Sequence, residues 1–113
     1  AGEAEWYAER CTPTYWVLGN EWEAWLLPEP SPSSWKMQIP EYAAFWNATG
    51  TAILEVQPDA QLVVGGVVSG QIWPVEEVWP LLDPRPAGLD VHPYSKSADE
   101  ARELLRAYKA VLL

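Results

Sequence analysis

Cysteine is almost missing from this chain: Cys11 is the only one in 113 residues. No disulfide can close within it, and its cellular compartment cannot be read from thiol usage. A single histidine beside that single cysteine leaves too few ligands for a zinc site of the usual kind, so neither a metal nor any other cofactor is expected. Basic residues are also scarce. Seven Lys and Arg stand against 16 Asp and Glu, for a formal net charge of -9 at pH 7. Without a basic patch nothing would displace the counterions of a nucleic acid or meet an anionic membrane surface, so neither is expected as a partner. Long apolar runs are lacking too: none approaches the roughly 20 residues of a membrane-spanning helix, and no signal-peptide pattern opens the chain. The sequence begins at Ala1 and closes on Val111, Leu112 and Leu113 with no polar tail, so both ends read as cut from something longer.

What is present suffices for one packed domain. Hydrophobic residues make up 49% of the chain, well above the range of disordered segments. Residues 3–10, "EAEWYAER", have the composition of a helix tail. Tyr15 to Leu18 is a short run of β-formers, the pattern of a strand buried on both faces of a parallel sheet. Between residues 22 and 39, Pro28, Pro30 and Pro32 alternate with Ser31, Ser33 and Ser34, which marks a long loop. Pro40 then suits a first helical turn. Tyr42, Phe45, Trp46, Thr49, Ile53 and Val56 follow at three- and four-residue spacing up to the stop at Pro58. Gly50 inside that helix costs about 1 kcal/mol against Ala, so close packing or an irregularity is expected there.

"QLVVGGVV" (61–68) reads as a second buried strand running into a glycine turn, "PVEEVW" (74–79) as a short helix, and "GLDVHPY" (88–94) as a third strand. Glu76 and Glu77 are most simply first-turn helix charges. Ser97 with Glu100 makes a capping box. The helix it opens would carry Ala101, Leu104, Leu105, Tyr108, Val111 and Leu112 on one face, with Arg102, Arg106 and Lys109 toward its C-terminal end. Strands alternating with amphipathic helices predict an α/β fold with a parallel sheet. Three units cannot close an eight-stranded barrel, which needs about 200 residues or more. The fold is therefore either a small open sheet or a slice, three strand/helix units long, of a (β/α)8 barrel.

The chemistry-bearing residues fall at strand ends, where a parallel barrel keeps its active site. In "YWVLGNEWEAW" (15–25) the first strand runs directly into Asn20 and Glu21. At the end of the third, Asp90, His92 and Tyr94 alternate, so they share one face of an extended chain while Leu89 and Val91 take the other.

These stretches together resemble the clan-A retaining glycoside hydrolases. A strand ending in Gly19-Asn20-Glu21 is similar to the fourth strand of those barrels. "EYAAFWNATGTAILEVQPDAQLVVGG" (41–66) is similar to their fourth helix, an Asp/Pro turn and a fifth strand ending in Gly-Gly, and "LDVHPYS" (89–95) to their sixth strand with its His-x-Tyr ending. The likeness runs from about residue 14 to the end. It implies a (β/α)8 barrel of which residues 1–113 would be the central part. The remaining strands would come from the same or a companion chain, and the substrate would be a β-linked glycoside or polysaccharide.

By that resemblance Glu21 is the general acid/base, protonating the glycosidic oxygen and then activating the water that resolves the glycosyl-enzyme intermediate. Asn20 would hold the sugar's 2-hydroxyl, and His92 and Tyr94 would orient substrate or nucleophile. The family carries its nucleophile, a second glutamate, at the end of the seventh strand, beyond the units matched here. Glu23, two residues from Glu21, is no substitute, so the chain alone is expected to be inert.

Eight tryptophans are unusual for this length. Trp16 and Trp46 lie on core-facing patterns. Trp22, Trp25, Trp35 and Trp73 fall in loops beyond strand ends, where indole faces could stack on sugar C–H faces; Trp22 and Trp25 are the nearest to Glu21. The plainer role for these four is anchoring loops to the barrel rim. Asn47-Ala48-Thr49 matches a glycosylation sequon, but within a helix. Two competing readings accompany the hydrolase: a catalytically inactive, hydrolase-like structural or carbohydrate-binding component of a larger assembly, and an independent three-stranded α/β domain. The second would leave exposed sheet edges.

Overall fold

A computed structural model describes residues 2–23, 37–68, 72–92 and 96–112. Trp25, Trp35, Tyr94 and most of the proline-rich loop lie outside the described residues. The element order is α1 (Gly2–Arg10), β1 (Tyr15–Asn20), α2 (Ile39–Val56), β2 (Gln61–Val68), α3 (Trp73–Val78), a 3-10 turn over Trp79–Leu81, β3 (Gly88–His92) and α4 (Ala98–Leu112). The fold is mixed α/β, and its three strands pair in parallel in the order β1-β2-β3.

Each crossover steps in the same direction across the sheet. Right-handed crossovers that never reverse put every connecting helix on one face, and the burial pattern agrees. Leu18 pairs with Val64 and Val64 with Leu89, while Trp16 pairs with Leu62. Leu18, Leu62 and Val64 are buried in a single core with Tyr42, Trp46 and Ile53 of α2, Val75 and Val78 of α3 and Tyr108 of α4, and Leu89 and Val91 pack against it. On the other face of β1, Tyr15 is 66% and Val17 51% exposed. The strand is therefore apolar on both sides but covered on one.

Helix α2 is the main packing element. Gly50 lies against the sheet: a Cβ there would stand 3.0 Å from Leu62 Cδ1 and 3.2 Å from Pro84 Cδ, which is the close packing its position in a helix suggested. The buried face of α2 combines Tyr42, Trp46 and Ile53 with the small residues Ala43, Gly50 and Ala52. Val56, placed on the apolar face by its spacing, is 38% exposed. Several polar groups of this layer are hydrogen-bonded. Trp46 Nε1 donates to Pro84 O at 2.7 Å. Gln57, the residue that ends α2, donates to Pro13 O at 2.6 Å and accepts from Trp16 Nε1 at 3.2 Å, tying the helix end to the start of β1.

Asn47 spans the same loop, donating to Leu81 O at 3.4 Å and accepting from Asp83 N at 2.8 Å. A glycan on that nitrogen would crowd the contact with Leu81 O. The sequon is therefore expected to stay unmodified when the chain is made in a glycosylating host, which peptide mass spectrometry would check.

The capping of α4 departs slightly from the expected box. Ser97 Oγ accepts from Glu100 N at 3.2 Å, but the Glu100 carboxylate takes the N–H of Lys96, at 3.1 Å, rather than that of Ser97. Tyr108 of this helix is buried in the core, Leu104 and Val111 pack half-buried against it, and Leu105 is 47% exposed. Burial pushes the Tyr108 phenol up to about 12, and the Glu23 charge adds to the shift. Burial raises the Tyr42 phenol still further, against the lowering effect of the Gly65 N–H bond. Both phenols keep their proton in the folded chain at a pH where the unfolded chain has lost it. Unfolding therefore releases protons above the usual value of 10.0, and stability falls as pH rises from there toward 12. Thermal melts across that window would show the decline, and Tyr108→Phe would reduce it to the part that Tyr42 contributes.

Candidate functional site

The site is built at the C-terminal ends of the strands, and glycine makes it possible. Gly19 at φ 88 turns the end of β1, while the ladder continues to pair Asn20 with Gly66. Glu21 follows in the left-handed region at φ 49, a conformation that costs a non-glycine residue about 1–3 kcal/mol and persists only where surroundings hold it. Here the holding group is Gly66, whose carbonyl accepts the Glu21 N–H.

Between β2 and β3 the register slips at the glycine pair. Val64 pairs with Leu89 and Val67 with Val91, so β2 spends one extra residue over Gly65-Gly66, a bulge of the kind that re-aims side chains near sites. No side chain can stand at either glycine without displacement. A Cβ on Gly65 would run into the carbonyl oxygens of Leu18 and Gly19; one on Gly66 would run into the His92 ring and reach within 3.0 Å of Asn20 Oδ1. Gly66 is thus the floor on which Asn20 and His92 meet.

Across that floor His92 Nδ1 lies 3.2 Å from Glu21 Oε1, although the two residues are 71 positions apart. The other ring nitrogen, Nε2, stands 3.5 Å from Asp90 Oδ2, beyond good hydrogen-bond length but within ion-pair range. With Glu21 ionised its carboxylate can only accept, which assigns the proton of this contact to Nδ1. The side chains are partly open: His92 is 28% and Glu21 20% exposed. Glu21 can therefore be reached from solvent while one of its oxygens is fixed, which is what a proton-transferring carboxylate needs.

Four expected site residues can be located. Asn20, Glu21 and His92 come together as described. The fourth, Trp22, does not belong to an open rim. It is fully buried, with its ring stacked on Tyr42 at 4.1 Å between centroids and 14° between planes. The turn at Gly19–Glu21 drives the next side chain back beneath the strand ends, so no indole face remains for a sugar. Trp22 is a core residue. Trp25 and Tyr94 lie outside the described residues. Trp73 is 37% exposed at the start of α3, and no contact joins it to Glu21 among those described. Glu23 is fully buried and acts electrostatically on the Tyr42 and Tyr108 phenols.

One participant was not legible as such. Tyr42 reads in the sequence as a member of an apolar helical stripe, yet its hydroxyl donates to Leu18 O at 2.6 Å and accepts from Gly65 N at 3.2 Å. A tyrosine among apolar residues is itself a signal, because a buried phenol needs partners.

Gly66→Ala separates the site from the fold. The methyl would meet side chains that can swing aside, so a stability loss of about 1 kcal/mol is expected, together with displacement of the His92 ring from Glu21. Urea denaturation and the His92 ring resonances would read the two effects.

Among the described residues no cluster of His, Cys, Asp or Glu has the geometry to hold a metal ion, and no helix is long and apolar enough to cross a membrane. Comparison of the chain with protein-family models, curated proteins and solved structures finds no match.

Proposed function

We propose that this chain forms the central strand/helix units of a (β/α)8 barrel in a retaining glycoside hydrolase, and that Glu21 is its general acid/base. One observation carries the reading: Glu21 and His92, at the ends of first and third strands, meet at 3.2 Å beside Asn20. Parallel α/β folds do their chemistry at this end of the sheet. The one-way strand order and the single covered face lend support. A doubly wound sheet reverses direction and places helices on both sides, whereas a barrel turns its second face inward. Exposed Tyr15 and Val17 would then be interior barrel residues.

In this scheme Glu21 hands its proton to the leaving oxygen as the glycosidic bond breaks, then takes one from the incoming water. His92, donating to one carboxylate oxygen, fixes the other toward the substrate. Asn20 offers an amide to the neighbouring sugar hydroxyl. The nucleophile is a carboxylate supplied by the rest of the barrel, about 5–5.5 Å from Glu21. The ligand is a β-linked carbohydrate, and the partner is the remainder of the barrel.

The test is hydrolysis of aryl β-glycosides by the chain joined with the remainder of its barrel, with Glu21→Gln as control. Turnover lost in the variant supports the proposal. A folded, completed barrel without turnover contradicts it and favours a hydrolase-like binding or structural component.

A further inference from the structure

We infer that Tyr42 is a positioning residue for Glu21: its hydroxyl is spliced between the ends of β1 and β2 and sets the turn that aims the carboxylate at His92. The inference rests on the reading of Glu21 as the functional group, but its readout needs no turnover.

Three observations converge on the phenol. First, its oxygen takes the N–H of Gly65 and gives its proton to the carbonyl of Leu18, so one side chain from α2 bridges two strands. Second, it does so immediately before the turn. Gly19 sits over the ring, where an added Cβ would lie 3.1 Å from Tyr42 Cε2, and Glu21 at φ 49 is the second residue after it. Third, the opposite side of the turn is pinned to the same ring, since Trp22 stacks on Tyr42. The segment Gly19–Trp22 therefore wraps around one tyrosine, and the strained Glu21 backbone is held from both sides. Next to it, the Glu21 N–H is bound by Gly66, whose neighbour Gly65 is the residue that Tyr42 grips.

Removing only the oxygen should leave the ring in place and release the strands. In Tyr42→Phe the Leu18 carbonyl and the Gly65 N–H lose a buried partner. The turn can then relax out of the left-handed region, and Glu21 withdraws from His92 Nδ1.

His92 is the only histidine, so its ring nitrogens can be read without ambiguity in long-range proton–nitrogen spectra at alkaline pH. Wild-type protein should show the Nδ1–H tautomer. Tyr42→Phe should lose it, shifting to the Nε2–H form or a mixture. Trp46→Phe, which removes the buried bond to Pro84 O one turn along the same helix, should keep it. A folded Tyr42→Phe with an unchanged Nδ1–H signal overturns the inference, and so does loss of that signal in Trp46→Phe as well, which would mark general loosening. If Tyr42→Phe does not fold, the wild type decides: the Tyr42 hydroxyl proton should exchange slowly and show a nuclear Overhauser contact to the Gly65 amide. A freely exchanging hydroxyl overturns the inference. The tautomer shift in Tyr42→Phe without hydrolysis by the completed barrel would sink the glycosidase reading alone. Hydrolysis dependent on Glu21 but indifferent to Tyr42 would sink this inference alone.

Discussion

Glu21→Gln is expected to lower kcat of the completed barrel on poorly activated glycosides by about 10²–10⁴-fold, the usual contribution of a positioned acid/base. Glutamine keeps the size and can still accept from His92 Nδ1, so the fold and the 3.2 Å contact should survive while the exchangeable proton is gone. The loss should be smaller for aryl glycosides whose leaving group departs without protonation. For those substrates the second step limits, because water has lost its base. An added small anion such as azide needs no deprotonation and should restore turnover as the glycosyl azide. A structural role for Glu21 would show neither the leaving-group dependence nor the rescue, and steady-state kinetics across a leaving-group series reads both.

Gly65→Ala should be the most damaging glycine-to-alanine change among the described residues, at about 3 kcal/mol or more of stability. The added Cβ would meet the backbone carbonyls of Leu18 and Gly19, and neither can rotate away without pulling β1 off β2. Its neighbour makes the contrast, because at Gly66 the obstacles are the His92 ring and the Asn20 amide, side chains rather than backbone. Urea denaturation of the two variants should therefore differ by a wide margin although the substitutions are adjacent and identical in kind. Equal losses would mean that the β1–β2 junction yields more readily than its geometry indicates.

The pattern of elements was open to sequence reading because it rests on short-range signals. The β-branched run at 61–68, the proline at each end of α2 and the Ser97–Glu100 cap each act within a few residues. The alternation of Asp90 and His92 opposite Leu89 and Val91 also held, since strand periodicity is a local property. The failures have a common cause in tertiary geometry. The first strand ends at Gly19-Asn20-Glu21 as expected, but the run from Tyr15 to Leu18, expected to be buried on both faces, is covered on one, which depends on where the helices lie. Trp22 admits both sugar stacking and loop anchoring in the sequence, because a loop position gives no hint that a left-handed residue before it will turn the indole inward. The stripe on α4 was read correctly as apolar, but how little of it the sheet would cover depends on where the helix lies.

The arrangement of Asn20 and Glu21 rests on backbone features: Gly19 turns the strand, Gly66 accepts the Glu21 N–H, and the register slips across Gly65-Gly66. The account stands on Glu21 facing a second carboxylate. Its most direct test is the oxygen-to-oxygen distance, in a crystal structure of the completed barrel, from Glu21 to the nearest carboxylate across the strand ends. The account predicts about 5–5.5 Å to a glutamate outside this chain; a barrel mouth with no carboxylate facing Glu21 would contradict it.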